Sequence, residues 1–267
     1  MERIRFYVND SKPHAIAACG RLAAAARALG LAVTDDASAQ VVVALGGDGT
    51  MLRAVREFSG VPVLGLNLGG LGYLASVEER DFGKALEMLA QGRYRISERT
   101  MLAVGKRGDA ARHEALNDVV IVREMSGHAA ILDLEVDGRT ATRYMADGLI
   151  FATPTGSTAY SLAAGGPVLM PDSGSFVVTP MNPHALGVRP MVVRDAAVHV
   201  VTARARAEGA AERLGVYADG AAVLQLASGE SVEVAKSARS AALVELDGYD
   251  PYEVLARKLG WSGTSVR

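Results

Sequence analysis

Five consecutive apolar residues, Val41-Val42-Val43-Ala44-Leu45, pass without interruption into Gly46-Gly47-Asp48-Gly49-Thr50, and a segment of helical periodicity, Leu52 to Phe58, follows. A short apolar run bounded by turn residues is a buried strand. Its neighbours up to residue 97 alternate in the same way: Ile4 to Val8 is strand-like, Ala15 to Leu29 helical, Val63 to Leu66 a strand and Phe82 to Leu89 helical. Short apolar runs alternating with longer helical segments make a sheet flanked by helices, so residues 1–97 are expected to form an α/β domain.

From Glu98 onward the texture changes to many short β-type runs separated by turn signals: Asp137-Gly138, Asp147-Gly148, Asp219-Gly220 and Ser228-Gly229. Two helices are expected in this half, one over Ser157 to Ala164, ended by Gly165-Gly166-Pro167, and one closing the chain over Pro251 to Leu259. Residues 98–267 are therefore expected to form a second, mainly β domain. A chain of 267 residues is long enough for two such cores.

Composition excludes several classes. A hydrophobic fraction of 49% and a charged fraction of 22% describe a packed protein, not a disordered or fibrous one. Net charge is −2 with no block of like charges, so the electrostatic footprint of a nucleic-acid binder is missing. Cys19 is the only cysteine, which excludes an intramolecular disulfide framework and a thiolate zinc cluster and fits a reducing cytosol. The apolar stretch His14 to Leu31 is interrupted by Arg21 and Arg27, and so reads as a core helix, not a targeting or membrane segment. A cytoplasmic protein with no membrane or nucleic-acid partner is expected.

The loop Gly46 to Thr50 is suited to phosphate. Glycines let backbone N–H groups approach phosphate oxygens, and a helix N-terminus adds favourable partial charge for an anion. Asp48 is the anomaly there, because a carboxylate repels phosphate unless it serves a metal ion, a hydroxyl or a transferable proton, and this points to chemistry at Asp48. The plain structural alternative is a tight Asp48-Gly49 turn with Thr50 capping the next helix. No Gly-Lys-Ser or Gly-Lys-Thr occurs, which excludes an ordinary P-loop.

A second glycine cluster, Asn67-Leu68-Gly69-Gly70-Leu71-Gly72-Tyr73-Leu74-Ala75, follows the strand Val63 to Leu66. Gly70, Gly72 and Ala75 fit a dinucleotide fingerprint, but no acidic residue stands at a strand end the required distance on, so a second ligand-contacting loop is preferred, with Tyr73 lining the pocket. Asn117-Asp118 heads the strand-like Val119 to Val122 and offers the donors and acceptors that ribose hydroxyls need. Asp147 to Ser161 leads a short strand into a loop crowded with hydroxyls: Thr153, Thr155, Ser157, Thr158, Tyr160 and Ser161. Helix capping by Ser157 or Thr155 accounts for one of them, and together they form a polar surface suited to a sugar or an amide.

In this order, the glycine-aspartate loop, Asn117-Asp118 and the Thr153 to Ser161 loop resemble the NAD kinase family, and the resemblance extends to Thr179-Pro180-Met181-Asn182-Pro183-His184-Ala185-Leu186, Arg189-Pro190 and Asp219-Gly220. Lipid kinases and phosphofructokinases share a loop like Gly46 to Thr50; the later loop is the distinguishing element. The resemblance implies an N-terminal α/β domain and a β-rich C-terminal domain with the active site between them, and phosphoryl transfer from ATP or polyphosphate, with Mg²⁺, to the adenosine ribose of NAD. It implies Asp48 as the catalytic residue, Gly46, Gly47, Gly49, Thr50 and Arg53 on the phosphate side, and Asn117 and Asp118 on the nicotinamide-side ribose. Tyr73, Asp147, Thr155, Thr158, Ala159, Tyr160, Ser161 and Asp219 would complete the dinucleotide pocket. No metal cage made of protein alone is expected, and the family pattern implies a homodimer or homotetramer.

Two positions depart from that pattern: Tyr73 stands where phenylalanine is frequent, and Met145 where a basic residue is frequent, with Arg143 nearby. Alternative readings are an NAD-dependent oxidoreductase using Gly70 to Ala75, a silent NAD(P)-binding regulator on the same fold, and a lipid-type kinase; each leaves a motif unexplained. The five histidines lack metal spacing, His184 reads equally as structural, and His14, His113, His128 and His199 read as surface or strand residues.

Overall fold

The computed structural model describes residues 3–8, 13–69, 72–75, 77–124, 128–204 and 213–261. In chain order the first elements are β1 (Arg3–Val8), α1 (Pro13–Ala28), β2 (Ala32–Val33), β3 (Val41–Leu45), α2 (Asp48–Glu57), β4 (Val63–Asn67), β5 (Val77–Glu78) and α3 (Phe82–Ala90). Then come β6 (Tyr94–Lys106), β7 (His113–Ala115), β8 (Asp118–Arg123), β9 (Ala130–Val136), β10 (Arg139–Ala146), β11 (Gly148–Ala152) and α4 (Tyr160–Ala163). The chain closes with β12 (Ser175–Met181), β13 (Met191–Arg194), β14 (His199–Arg204), β15 (Arg213–Ala218), β16 (Ala221–Ala227), β17 (Ser231–Leu246) and α5 (Pro251–Leu259). No helix among the described residues is long and apolar enough to cross a membrane.

Two compact units divide this chain, Met1–Glu98 with Ala241–Arg267, and Arg99–Ser240. In the first unit β2, β1, β3 and β4 lie side by side in parallel, and the end of β17 joins them with Leu243 opposite Val63. Every residue of β3 and β4 is buried, as parallel strands covered on both faces must be. Helix α2 buries Thr50, Met51, Ala54 and Val55 on one face, and α1 buries the stripe Ala15, Ala18, Leu22 and Ala26. Ile4, Val43, Leu45, Leu64, Leu66, Phe82, Leu86, Leu89 and Val244 meet in the core.

The second unit is antiparallel. One sheet among the described residues runs β13-β12-β11-β8-β15-β16, and the other carries β10-β9-β14 beside the start of β17, with His199 opposite Val234. Alternate residues of the two sheets interdigitate in one core, with Val119, Ile121, Leu149, Phe151, Phe176 and Val178 from the first and Leu132, Leu134, Val201 and Val232 from the second. Burying these apolar faces is the main stabilising term, at roughly 1.5–3 kcal/mol per large side chain.

Four sequence expectations are modified. Residues 98–267 are not one contiguous body, because Ala241–Arg267 returns to the first unit. Helix α2 begins at Asp48 and not at Leu52; Gly47 is its N-cap and no side chain, Thr50 included, caps it. The helix expected over Ser157 to Ala164 is broken into a 3-10 turn, Gly156–Thr158, and the four-residue α4, because Ala159 leaves helical geometry at φ −96° and ψ −125°. Asp147-Gly148 is a strand entry and not a turn: Gly148 opens β11, where a side chain would strike the Ile121 carbonyl. The other three turn signals hold, with positive φ at Asp137, Gly138, Asp219, Gly220 and Gly229.

Candidate active site

In the first unit, β3 delivers the chain to Gly46, whose φ of 157° and close approach to the Thr50 side chain leave no room for a Cβ. The Gly47 carbonyl accepts the N–H of Thr50 at 2.8 Å and of Met51 at 3.2 Å, which starts α2. The first amides of a helix have no partner within it, and here no side chain takes that place. Gly47 and Gly49 are different from Gly46, since neither has positive φ and nothing lies within 4 Å of where a Cβ would be. Backbone geometry does not require glycine at these two positions. Their effect is to keep the amides of the helix start open from outside. Thr50 is buried, and Arg53 lies exposed on the next turn of α2.

Asp48, at the first position of α2, turns its carboxylate to the second glycine loop. Oδ1 accepts the backbone N–H of Leu74 and of Ala75, and Oδ2 that of Tyr73, each at 3.0 Å. Gly72 makes this possible: a Cβ there would overlap Asp48 Oδ1 and lie 2.9 Å from the Ala75 carbonyl. The loop is closed by Gly72 N–H donating to the Ala75 carbonyl at 3.2 Å, and the Asn67 side-chain amide donates to the same carbonyl at 3.3 Å. A carboxylate offers about four lone-pair positions. Three are filled, and the one left is on Oδ2. The Tyr73 phenol is pushed up by partial burial and then by the negative charge of Asp48.

Gly70 and Leu71 lie outside the described residues. The fingerprint reading of this loop fails on its context, because the loop leads into the two-residue β5 and a 3-10 turn, Glu79–Asp81, where the fingerprint needs a helix to open.

In the second unit, Asp219 repeats the device. It sits with φ 47° in the two-residue turn between β15 and β16, and its carboxylate accepts the N–H of Leu116 at 2.8 Å, of Asn117 at 2.7 Å and of Asp118 at 3.1 Å. Asp219 thus fixes the chain entering β8 and brings Asn117 and Asp118 together. Asp118 is only 6% exposed, and its carboxyl is pushed up to about 7 by burial and by the charge of Asp219. The side-chain oxygen of Asn117 is buried with no hydrogen-bond donor. An orphaned acceptor beside a carboxyl that can hold or release a proton is an arrangement that a ligand's hydroxyl or amide would complete.

The hydroxyl-rich loop divides into two sets. Thr153, Ser157 and Ser161 are fully buried and turned inward. The Thr153 hydroxyl donates to the Leu116 carbonyl and accepts the Gly156 N–H at 3.0 Å; the Ser157 hydroxyl donates to the Pro154 carbonyl at 2.7 Å and accepts the Leu169 N–H at 2.9 Å; Ser161 shares a 2.8 Å hydrogen bond with Thr179. These hydroxyls brace the loop. Thr155, Thr158 and Ala159 are half-buried and Tyr160 is 45% exposed, so these are partly open to solvent, the Thr158 hydroxyl also donating to the Thr155 carbonyl at 3.3 Å. Gly156 packs its Cα against the Asn117 backbone, where a side chain would overlap it, and this locks the loop to the start of β8.

Asp147 is a strut. It accepts Arg123 Nε at 2.7 Å and the Asn182 side-chain amide at 2.9 Å, and these bonds, Asn182 first, hold its carboxyl below the usual carboxylate range. Arg143 is occupied on the surface by Asp133, which it grips with Arg204, so it does not stand in for the basic residue absent at Met145. His184 is exposed, while His199 is fully buried in β14. Arg123 and Asn182 contribute to these arrangements without having been picked out individually by sequence, although Asn182 lay in a recognisable motif; Gly72 was picked out, but for a dinucleotide fingerprint and not for its close approach to Asp48.

The geometry defines a two-unit protein in which a glycine-rich helix start carries a cradled carboxylate and a β-rich unit presents an amide-carboxyl pair. The ATP-NAD kinase N-terminal domain model matches residues 21–94 and the C-terminal domain model residues 116–246. NAD kinase from Syntrophotalea carbinolica is 40% identical over 228 residues, covering 83% of this chain and 78% of that protein. Among solved structures, yeast NADH kinase complexed with NADH superposes with a TM-score of 0.86 at 23% identity over 100% of this chain and 89% of that one. An NAD kinase from Archaeoglobus fulgidus in complex with ATP gives 0.80 at 24% identity over 98% of this chain and 100% of that one. The chain belongs to the NAD kinase family.

Proposed function

We propose that this NAD kinase family member phosphorylates the 2′-hydroxyl of the adenosine ribose of NAD, with ATP or polyphosphate as donor. The observation that carries the mechanism is the single unfilled acceptor position on Asp48 Oδ2, at a helix start whose amides are left open by Gly47 and Gly49. In this reading the ribose hydroxyl donates to Asp48 Oδ2, its oxygen attacks the terminal phosphorus of the donor, and the bond from that phosphorus to the bridging oxygen breaks. The hydroxyl proton passes to Asp48, and ADP or shortened polyphosphate leaves. The amides of Asp48 and Gly49 receive phosphate oxygens, with Gly46 setting the turn and Thr50 and Arg53 on the same helix supporting that side. Most of the rate enhancement comes from holding the hydroxyl and the phosphorus in line.

Asn117 and Asp118 hold the nicotinamide-side ribose, with Asp219 positioning both through their amides. Within the second unit Thr155, Thr158, Ala159 and Tyr160 contact the dinucleotide, with Asp147 and Ser161 supporting that surface from behind, and within the first unit Tyr73 does so. The donor would carry Mg²⁺, which would offset charge on its phosphates; among the described residues no group of three or more His, Cys, Asp or Glu side chains is arranged to hold a metal. We place the protein in the cytoplasm as a homodimer or homotetramer, which the reducing-compartment composition and the family pattern support.

The test is NADP formation from NAD by the purified protein with Mg²⁺, comparing ATP, polyphosphate and no donor. Donor-dependent NADP supports the reading and sets the donor range. NAD binding without product would replace it with a regulatory, non-catalytic role.

A further inference from the structure

Helix α5 reaches the Asp48 cradle at Tyr73 and the strand that follows the cradle at Glu78. Lys258 Nζ lies 5.3 Å from the centroid of the Tyr73 ring, and Arg257 forms an ion pair with Glu78, which is itself held by Arg80 at 3.1 Å. Tyr73 opens the run of three amides that bind Asp48, and Glu78 ends the short strand β5 that follows them, paired to Asn67 of β4. Two consecutive residues of α5 therefore contact the first of the three residues whose amides orient Asp48 and the strand residue Glu78 that lies beyond the last of them.

Apolar packing accounts for only part of this placement. Of the nine residues of α5 only Leu255 is buried, and one flank of the helix overlies a cleft of about 360 Å³ whose floor includes Leu64, Met88 and Val244. The helix itself is well specified: Asp250 caps it by accepting the Tyr252 N–H at 2.8 Å, Pro251 follows, and Gly260 ends it at φ 65°. Pro251, Val254, Ala256 and Leu259 are half-buried beside Leu255, and the polar contacts of the helix add a direction to that packing: they reach Tyr73, within the Asp48 cradle, and Glu78, just beyond it. A cation over an aromatic face is an attractive contact that survives partial exposure.

We propose that α5 is a positioning element for the phosphoryl-transfer site, with Lys258 and Arg257 fixing the loop from Tyr73 to Glu78 so that its amides hold Asp48 in register. This rests on the kinase reading above. It assigns these two side chains no contact with the reacting atoms.

The experiment compares wild type with Lys258→Met, Lys258→Arg and the double variant Arg257→Gln/Lys258→Met, reading kcat and KM for NAD together with amide hydrogen exchange at Tyr73, Leu74 and Ala75. We expect kcat to fall about threefold in Lys258→Met and about tenfold in the double variant, exchange at the three amides to accelerate in parallel, and Lys258→Arg to restore both. Wild-type kcat and unchanged exchange in the double variant would overturn the proposal, as would an equal loss in Lys258→Arg and Lys258→Met. Failure of the kinase reading is separate: the wild-type protein would then form no NADP under any donor, while the exchange comparison would still report whether α5 holds the loop.

Discussion

Oδ1 of Asp48 accepts the N–H of Leu74 at 3.0 Å, joining the first residue of α2 to a loop 26 residues further along the chain. With the amides of Tyr73 and Ala75, this makes the carboxylate a fixed object instead of a mobile side chain on a helix start. The cost of ordering it is met in the fold, before any substrate arrives.

Asp48→Asn is the direct consequence. The amide keeps one acceptor oxygen and presents N–H groups toward donors already in place, so the Tyr73 side of the cradle loses its partner. We expect kcat to fall by about 10²–10⁴ while KM for NAD changes less than about threefold, with a stability loss of about 1 kcal/mol. Steady-state kinetics and thermal melting check this; wild-type turnover in the variant would remove Asp48 from the chemistry.

Gly72→Ala tests the cradle without touching the carboxylate chemically. The added methyl overlaps Asp48 Oδ1, so either the side chain or the loop must shift, and a loss of about tenfold in kcat is expected. Gly69→Ala serves as control, because its Cβ would meet only Asn67 Oδ1 at 3.7 Å. Equal activities of the two variants would show that the close approach is not needed.

If Asp118 meets the ribose as proposed, binding is expected to depend on pH. Its carboxyl, raised to about 7, lies above its unfolded value of about 4, so its contribution to stability is full below pH 4 and is lost as pH rises through 7. Asp118→Asn is therefore expected to gain stability relative to wild type between pH 5 and 8, on the order of 2 kcal/mol. Ribose hydroxyls donating to Asp118 favour the ionised form, and NAD binding at pH 7 should release roughly half a proton. Calorimetry in two buffers of different ionisation enthalpy measures this, and the release should vanish in Asp118→Asn.

His199 acts in the opposite sense. Burial holds its ring below the usual histidine range, against a partly offsetting hydrogen bond to the Val234 carbonyl at 3.3 Å, and Nε2 has no partner. A lowered folded-state value means that its contribution is present above about pH 6.5 and is lost as pH falls through the folded value. His199→Leu should match or exceed wild type in stability by up to about 1 kcal/mol at pH 8, with the advantage growing toward pH 5 in paired thermal melts.

The sequence read most directly where chemistry is local. Val41–Leu45 and Pro251–Leu259 form the expected strand and helix because an apolar run and a capped, proline-started segment carry their instructions within a few residues. Asp48 stood out because a carboxylate is unusual in a phosphate-type loop, whereas Asn117 and Asp118 gained meaning only from the motifs around them. The partners of these residues were not legible: the amides that bind Asp48 come from Tyr73, Leu74 and Ala75, and those that bind Asp219 from Leu116 to Asp118, pairings that folding creates and no spacing encodes. The direction of the hydroxyls was hidden for a related reason. Ser161 and Thr158 look alike in sequence, yet they lie on opposite sides of the break at Ala159: one is fully buried against Thr179, and the other is half-buried with its hydroxyl on the Thr155 carbonyl.

The pairing of Leu243 with Val63 has a consequence for the order of events on the ribosome. When β4 emerges, the partner for its Val63 end is still about 180 residues from being made, a wait of roughly 10–40 s at ordinary elongation rates. Arg99–Ser240 is contiguous and can close its sandwich in that interval. The unit that carries Asp48 is begun before residues 99–240 are made and gains its last strand only after them, so its sheet is completed later than the sandwich that interrupts it.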